Sequence, residues 1–181
     1  MKSKFCIVLC GILMALDILA VDRVKIGYLY YALNDDYKTA SVLASVTPAS
    51  HSKQTYSGNI TIPSSVLYNG DTYEVTQIAS MAFSYCPSLY SVVIPNSVKK
   101  VSWGAFEGCP ELTSVVLPAN LRRIEEKTFW CCFKLESITL GNNVQYIGSD
   151  AFYSCRALTL KIPEKFRGEL GTLECERVIY Y

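Results

Sequence analysis

The stretch SMAFSYCPSLYSVVIPNSVKKVSWGAF, residues 80–106, contains the dipeptide Ala-Phe twice, ending at Phe83 and at Phe106. Phe129 and Phe152 continue the same interval of 23 residues, and a cysteine follows three residues after each phenylalanine. Units that keep one register over this length are a tandem repeat and not a chance pattern. The shared positions are Phe83, Phe106, Phe129 and Phe152, then Cys86, Cys109, Cys132 and Cys155, then Leu89, Leu112, Leu135 and Leu158.

A repeat period in the twenties predicts a solenoid, in which each coil buries its apolar side chains against its neighbours. The segment LYSVVI alternates in polarity, which predicts a strand with Val92 and Ile94 inward and Val93 outward. Pro95 ends this strand, because proline cannot donate a hydrogen bond to a sheet. Stacked coils place equivalent strands side by side, so we predict a parallel β-sheet stack with short helical or irregular crossovers.

The chain before Phe83 has a different pattern, with short β-rich runs separated by turn-forming residues. Asn69-Gly70 lies between two such runs and predicts a tight hairpin, because both residues tolerate a positive φ. We therefore predict an antiparallel β cap over residues 21–78, repeats over residues 79–166 and a C-terminal cap over residues 167–181. The fourth repeat is one residue short between Leu158 and Ile162, and ECERVIYY predicts a last strand closing the stack.

The N-terminus has the pattern of a secretory signal peptide over residues 1–20. Two lysines precede the apolar run Phe5–Leu16, and Ala20 supplies a small residue for cleavage. A lipoprotein signal ending at Cys10 is disfavoured, because Leu9 is large for that processing. The apolar run is short for a membrane span, and we predict no transmembrane segment in the mature chain.

The composition favours a folded domain and gives no sign of nucleic-acid binding. Half of the residues are hydrophobic and 18% are charged, so most of the chain is expected to be ordered. Lysine and arginine number 17 against 16 acidic residues, for a formal charge of +1. This balance lacks the basic excess of nucleic-acid-binding domains.

Six cysteines follow the predicted signal peptide, and four of them occupy one position of the repeat. Cys86, Cys109, Cys132 and Cys155 are therefore predicted to form a ladder of buried thiols that serves packing. Parallel Cβ vectors disfavour disulfides within the ladder, and a row of thiols cannot make a tetrahedral zinc site. Cys131 and Cys175 fall outside the ladder, and the sequence leaves open whether they pair.

The unit LYSVVIPNSVKKVSWGAFEGC, residues 89–109, resembles that of the BspA-like, or treponemal-type, leucine-rich repeat family. That unit is Leu-x-x-Ile-x-Ile-Pro-x-x-Val-x-x-Ile-x-x-x-Ala-Phe-x-x-Cys, and LTSVVLPANLRRIEEKTFWCC, residues 112–132, also follows it. Thr128 and Gly141 depart from the pattern. The resemblance implies a leucine-rich repeat solenoid in a secreted or surface-exposed protein of host-associated bacteria or parasites. Adhesion to host matrix proteins, plasma proteins or other microbes is the function it implies.

Catalytic motifs are absent from the sequence. His51 is the only histidine and lies in the polar segment ASHSKQ, which we interpret as a solvated loop. The chain has no glycine-rich phosphate loop, no serine elbow and no metal-ligand spacing. We therefore predict no enzyme, no cofactor and no metal site.

Two surfaces are predicted to be available for binding a protein or another macromolecule. Outward strand positions form a sheet face that exposes apolar side chains, although β-branched residues also favour strands for structural reasons alone. After each strand come basic residues that could meet an acidic partner or simply be solvated. The sheet-face residues are Tyr90, Val93, Val116 and Thr139; the basic patch contains Lys99, Lys100, Arg122 and Arg123; Trp103 and Trp130 are further exposed candidates.

The leading hypothesis from the sequence is a secreted or cell-surface repeat protein that mediates protein–protein binding or adhesion. An extended, open surface without catalytic groups motivates this interpretation. The alternative is a structural spacer, or a short non-binding copy of a larger surface protein.

Overall fold

The computed structural model describes residues 23–46, 55–167 and 175–181. The predicted signal peptide and His51 lie outside these residues. Within these ranges, fourteen strands and one short 3-10 helix, Glu164–Phe166, make up the regular structure. The strands are β1 (Arg23–Ile26), β2 (Leu29–Asn34), β3 (Thr39–Leu43), β4 (Ser57–Thr61), β5 (Ser65–Tyr68), β6 (Asp71–Ile78), β7 (Ser88–Val93), β8 (Lys100–Val101), β9 (Ser114–Val116), β10 (Arg123–Ile124), β11 (Ser137–Thr139), β12 (Tyr146–Ile147), β13 (Thr159–Ile162) and β14 (Arg177–Tyr180).

The predicted solenoid is confirmed by a six-stranded parallel sheet with the order β14-β13-β11-β9-β7-β4. Val92 pairs with Val115, one repeat further along the chain, and both are buried. Ile138 pairs with Leu160, an interval of 22 residues, so the predicted one-residue shortening of the fourth repeat is present in the register. The C-terminal strand β14 extends the sheet in parallel beside β13.

The repeated phenylalanines form one continuous stack through the core. The rings of Phe83 and Phe106 lie 5.2 Å apart between centroids, and those of Phe106 and Phe129 lie 5.4 Å apart. Phe129 and Phe152 continue the stack at 5.5 Å, with planes within 9° of parallel. All four side chains are fully buried, so every coil contributes to a shared interior.

The N-terminal segment forms a second sheet that packs against the first coil. Strands β1, β2 and β3 are antiparallel, and β5 and β6 form the predicted hairpin, with positive φ at both Asn69 and Gly70. Two pairings are parallel, those of β6 with β3 and with β8. Ile78 pairs with Val101, so the hairpin leads directly into the repeat register. Strand β4, which lies within the segment predicted as a cap, joins the solenoid sheet beside β7.

Each coil returns to the sheet through a turn around its phenylalanine, which we call the Phe turn. The backbone N–H of Phe83 donates to the carbonyl of Ala105 in the next coil at 2.8 Å, and Phe106 donates to Thr128 at 2.9 Å. The residues two before and two after each phenylalanine have a positive φ. The Phe turns thus form their own hydrogen-bonded wall, although the short helical turn predicted for Ser102–Phe106 is replaced by non-helical turns.

Candidate functional site

We call the outward side of the solenoid sheet the sheet face. The centre of this face carries no charged side chain. Strand pairing aligns Thr61, Val93, Val116, Thr139 and Lys161 in one row across five strands. A parallel row contains Asn59, Ser91, Ser114, Ser137 and Thr159. Neighbouring strands lie about 4.8 Å apart, so these rows are regular arrays of small polar and aliphatic groups.

The four residues predicted for this surface point to solvent. Val93 is 40% exposed and Val116 is 53% exposed, and their Cα atoms are direct partners in the sheet. Tyr90 is 47% exposed, and Thr139 is also exposed one strand beyond Val116. The structure therefore brings Val93, Val116 and Thr139 together in one row, with Tyr90 beside them.

The four basic residues are exposed along the edge that carries the two-residue strands. Lys100 lies on β8 and Arg123 on β10, with Lys99 and Arg122 immediately before them. The guanidinium of Arg123 binds Glu125 at 2.9 Å and lies 4.0 Å from the ring centre of Tyr146. Its charge is therefore partly engaged by its own chain, and an acidic partner would meet a weaker field than the sequence alone indicates.

The four repeated cysteines form a ladder of buried thiols, and three of them donate to the backbone of the preceding coil. The Sγ of Cys109 donates to the carbonyl of Phe83 at 2.9 Å, and Cys132 and Cys155 repeat this bond at 3.1 and 3.0 Å. Burial raises the pKa of Cys132 well above its ordinary value, and that of Cys155 to about 12. A hydrogen bond with Cys109 and burial raise the pKa of Cys86. Among the described residues no disulfide is formed.

Thiol reactivity should divide the cysteines into two groups. We expect iodoacetamide at pH 8 to modify the half-buried Cys131 and Cys175 at least about a hundredfold faster than the ladder thiols, which react only through local opening. Peptide mass spectrometry of the alkylated native protein gives each rate. In denatured protein, all six cysteines should be alkylated at similar rates. Equal rates in the native state would contradict the buried ladder.

The surface of the Phe turns, which we call the turn face, carries aromatic residues that the sequence only partly indicated. Trp103 is 38% exposed, and Trp130 stacks on Tyr153 with centroids 6.1 Å apart. The hydroxyl of Tyr85 donates to the carboxylate of Glu107 at 2.7 Å. Sequence reasoning missed the contact between Tyr85 and Glu107, although their separation of 22 residues places them in adjacent coils.

The described residues contain neither a candidate metal cluster nor a candidate membrane-spanning helix. No cluster of three or more His, Cys, Asp or Glu side chains within them is arranged to hold a metal ion. The same ranges contain no helix that is long and apolar enough to cross a membrane.

Solved structures share this fold. A leucine-rich cell surface protein from Faecalibacterium prausnitzii matches 87% of this chain with a TM-score of 0.65 and 23% identity. This chain spans 39% of that protein. A leucine-rich repeat protein from Bacteroides capillosus is 26% identical over 88% of this chain and 98% of that one, with a TM-score of 0.59. The leucine-rich repeat protein of T. pallidum matches 87% of this chain and 85% of its own at a TM-score of 0.59, with 23% identity.

Comparison of the sequence with protein families identifies the repeat directly. A search of curated proteins found no match. The family described as "BspA type Leucine rich repeat region" matches residues 52–168 in six copies, which is more than half of the 181 residues. The stacked phenylalanines, the thiol ladder and the parallel sheet are the structural form of that repeat, and the chain belongs to the BspA-type leucine-rich repeat family.

Proposed function

We propose that this chain is a secreted or cell-surface protein that binds another protein through its sheet face and catalyses no reaction. The exposed pair of Val93 and Val116 at the centre of this face is the observation that carries the proposal. Contiguous exposed apolar groups with a polar surround are typical of interaction sites on folded proteins. The centres of protein interfaces are depleted in charge and enriched in aromatic residues such as Tyr90.

The arrangement of the face supports a protein partner in preference to nucleic acid. The two central rows contain hydroxyl, amide and methyl groups, and the first charged residue along the Val93 row is Lys161. Glu136, immediately before β11, is exposed and adds a negative charge. A surface of this composition offers hydrogen bonds and apolar contact but no cationic path for a phosphate backbone.

Substitution at the centre of the face is expected to weaken binding strongly. Val93→Arg combined with Val116→Arg should weaken the affinity for any protein partner at least about tenfold, because desolvating two guanidinium groups opposes association. The partner is to be sought by biolayer interferometry with the purified chain against matrix and plasma proteins. The double variant is then measured against each protein that binds.

A matched pair on another surface provides the control. Lys99→Glu combined with Arg122→Glu changes two exposed residues of the basic patch and should leave the same binding unchanged. If the folded Val93→Arg, Val116→Arg variant binds as well as the parent, the sheet face is not the site. Loss of binding only in the control pair would assign the site to the basic patch. Failure of every protein to bind would favour the spacer hypothesis.

A further inference from the structure

A second candidate binding site lies on the turn face, away from the sheet face, and it combines aromatic rings with a buried carboxylate. Tyr85 is 51% exposed and Trp103 is 38% exposed. Trp130, in the next coil, stacks on Tyr153 with an angle of 11° between the rings. Tryptophan and tyrosine are the residues most enriched at the energetic centres of interfaces.

Glu107 supplies an acceptor that lacks a protein donor. Its side chain is buried, with 6% of the residue exposed, and Oε1 accepts the hydrogen bond from Tyr85. This hydrogen bond raises the pKa of Tyr85 to about 12, so the phenol stays a donor. The second oxygen, Oε2, is buried without a hydrogen-bond partner among the described residues. Buried polar atoms of this kind are rare in folded proteins and indicate a group that a ligand can satisfy.

Gly104 contributes no side chain beside that oxygen, and we call this place the gap at Gly104. A Cβ atom at this position would lie 2.9 Å from Oε2 of Glu107 and 3.7 Å from the Cγ of Met81. The equivalent positions of the coils on either side hold Met81 and Lys127, and each has a positive φ like Gly104. Glycine at this position therefore keeps a fixed Cβ away from the unpaired oxygen, and the flexible side chain of Met81 lies within 4 Å of the place that this Cβ would take.

Lys127, at the equivalent position of the next coil, holds a cation beside both indole rings. Its Nζ lies 5.8 Å from the ring centre of Trp103 and 6.0 Å from that of Trp130. Both distances are within reach of the cation–π attraction between an ammonium group and an indole ring. Glu126 and Asp150 are exposed within three residues before Phe129 and Phe152 and add negative charge, whereas Arg156 is exposed four residues after Phe152. The local field therefore favours a cation at this position.

We propose that this gap binds the ammonium or guanidinium group of a basic side chain presented by a partner protein, which takes the place of Lys127 between the two indoles. The incoming cation contacts the rings of Trp103 and Trp130 and donates a hydrogen bond to Oε2 of Glu107. Met81 and Lys127, which hold the equivalent positions of the neighbouring coils, move aside through rotation of their side chains. The occupant is thus a lysine or arginine on a protein segment.

The two tryptophans provide a specific reporter, because they are the only ones in the chain and both lie at this site. The probe is a capped pentapeptide with one lysine between pairs of glycines. The matched peptide carries norleucine in place of lysine, which keeps the stem and removes the charge. We expect the lysine peptide to change the intrinsic fluorescence saturably and the norleucine peptide to leave it unchanged.

Three variants test the assigned contacts. Lys127→Met removes the resident cation and should tighten binding of the lysine peptide about threefold, in the range of one cation–π contact. Glu107→Gln keeps an acceptor for Tyr85 but removes the charge, and should weaken the peptide about tenfold. Trp103→Leu, at an exposed position, should weaken binding of the peptide about threefold. This variant replaces Glu107→Gln as the test if Glu107→Gln lowers the melting temperature. Glu136→Gln, immediately before β11, is the matched control and should change nothing.

The results separate the proposal from its alternatives. Equal responses to the two peptides would overturn it, because apolar contact and not charge would then be recognised. Unchanged or weaker binding by Lys127→Met would overturn the claim that the incoming cation replaces Lys127. Unchanged binding by both folded Glu107→Gln and Trp103→Leu would show that the peptide binds elsewhere.

Discussion

Replacing Phe106 with alanine is expected to lower the free energy of unfolding by about 3–5 kcal/mol. Phe106 lies between Phe83 and Phe129 in the stack, with ring planes within 5° and 4° of its neighbours. The substitution removes a fully buried ring and leaves a cavity that two coils line. Folded domains are stable by about 5–15 kcal/mol, so this loss is a large share of the total. Urea denaturation followed by circular dichroism measures it.

Two further substitutions of phenylalanine test whether the loss of stability comes from the buried position in the stack and not from hydrophobicity in general. Phe133→Ala removes a ring that is 45% exposed and should change the stability by less than about 0.5 kcal/mol. Phe106→Leu keeps most of the buried volume and should fall between the two alanine variants. A loss below about 1.5 kcal/mol in Phe106→Ala would contradict a close-packed continuous interior.

Gly148→Ala is expected to destabilise the protein by about 2–3 kcal/mol through a clash with the neighbouring coil. A Cβ atom at Gly148 would lie 2.5 Å from the backbone nitrogen of Glu126 and 2.8 Å from its Cα. Backbone atoms cannot rotate away as a side chain does, so the two coils must separate. The N–H of Gly148 donates to the carbonyl of Ile124 at 2.8 Å, and separation strains this bond as well.

Gly141→Ala is the matched comparison, because it makes the same change in the unfolded chain. Its Cβ would meet only the carbonyl oxygen of Ala119, at 3.4 Å, which is an ordinary contact. We expect its stability to be unchanged, or higher by about 0.4–1 kcal/mol from the reduced freedom of the unfolded chain. Denaturation midpoints for Gly148→Ala and Gly141→Ala that coincide would show that the coils are not in contact at Gly148.

The solenoid could be predicted from the sequence because its inward positions recur at a constant interval. Phe83, Phe106 and their equivalents fall at one place in every coil, so alignment of the repeats gives the pairing of the strands directly. The short fourth repeat shows the same principle, since a missing residue before Ile162 appears as a shifted register beside β11. The turn at Asn69 was predictable for a local reason, the tolerance of Asn-Gly for positive φ.

The place of β4 in the solenoid sheet could not be predicted from the repeat. Ile60 pairs with Val92 at an interval of 32 residues, and the register shifts between Gly58 and Asn59. This interval lies outside the period of 23, and only one aliphatic side chain of β4 points inward. The parallel pairing of β3 with β6 is hidden for a similar reason, because it depends on tertiary packing and not on local pattern.

The two candidate sites differ in the same way, since a local sequence pattern predicts one of them and not the other. Alternation along a strand predicts which side chains face outward, and Val93 and Val116 are exposed as that rule requires. The contact of Tyr85 with Glu107 depends instead on side-chain rotamers and on the missing side chain at Gly104. In an alignment of the repeats, Tyr85, Gly104 and Glu107 fall at three different positions of the unit. Their proximity is seen only in the folded structure.

The hydrogen-bonded wall of Phe turns has a consequence for how such a chain can change over generations. Each turn donates to carbonyls of the following turn, for example from Phe129 to Ala151 at 2.8 Å, so inserted residues within a turn would break a continuous row. Gain or loss of a whole unit preserves every bond except those at the new junction. Recombination between repeats can therefore lengthen or shorten the protein in steps of one coil, while the remaining surface keeps its spacing.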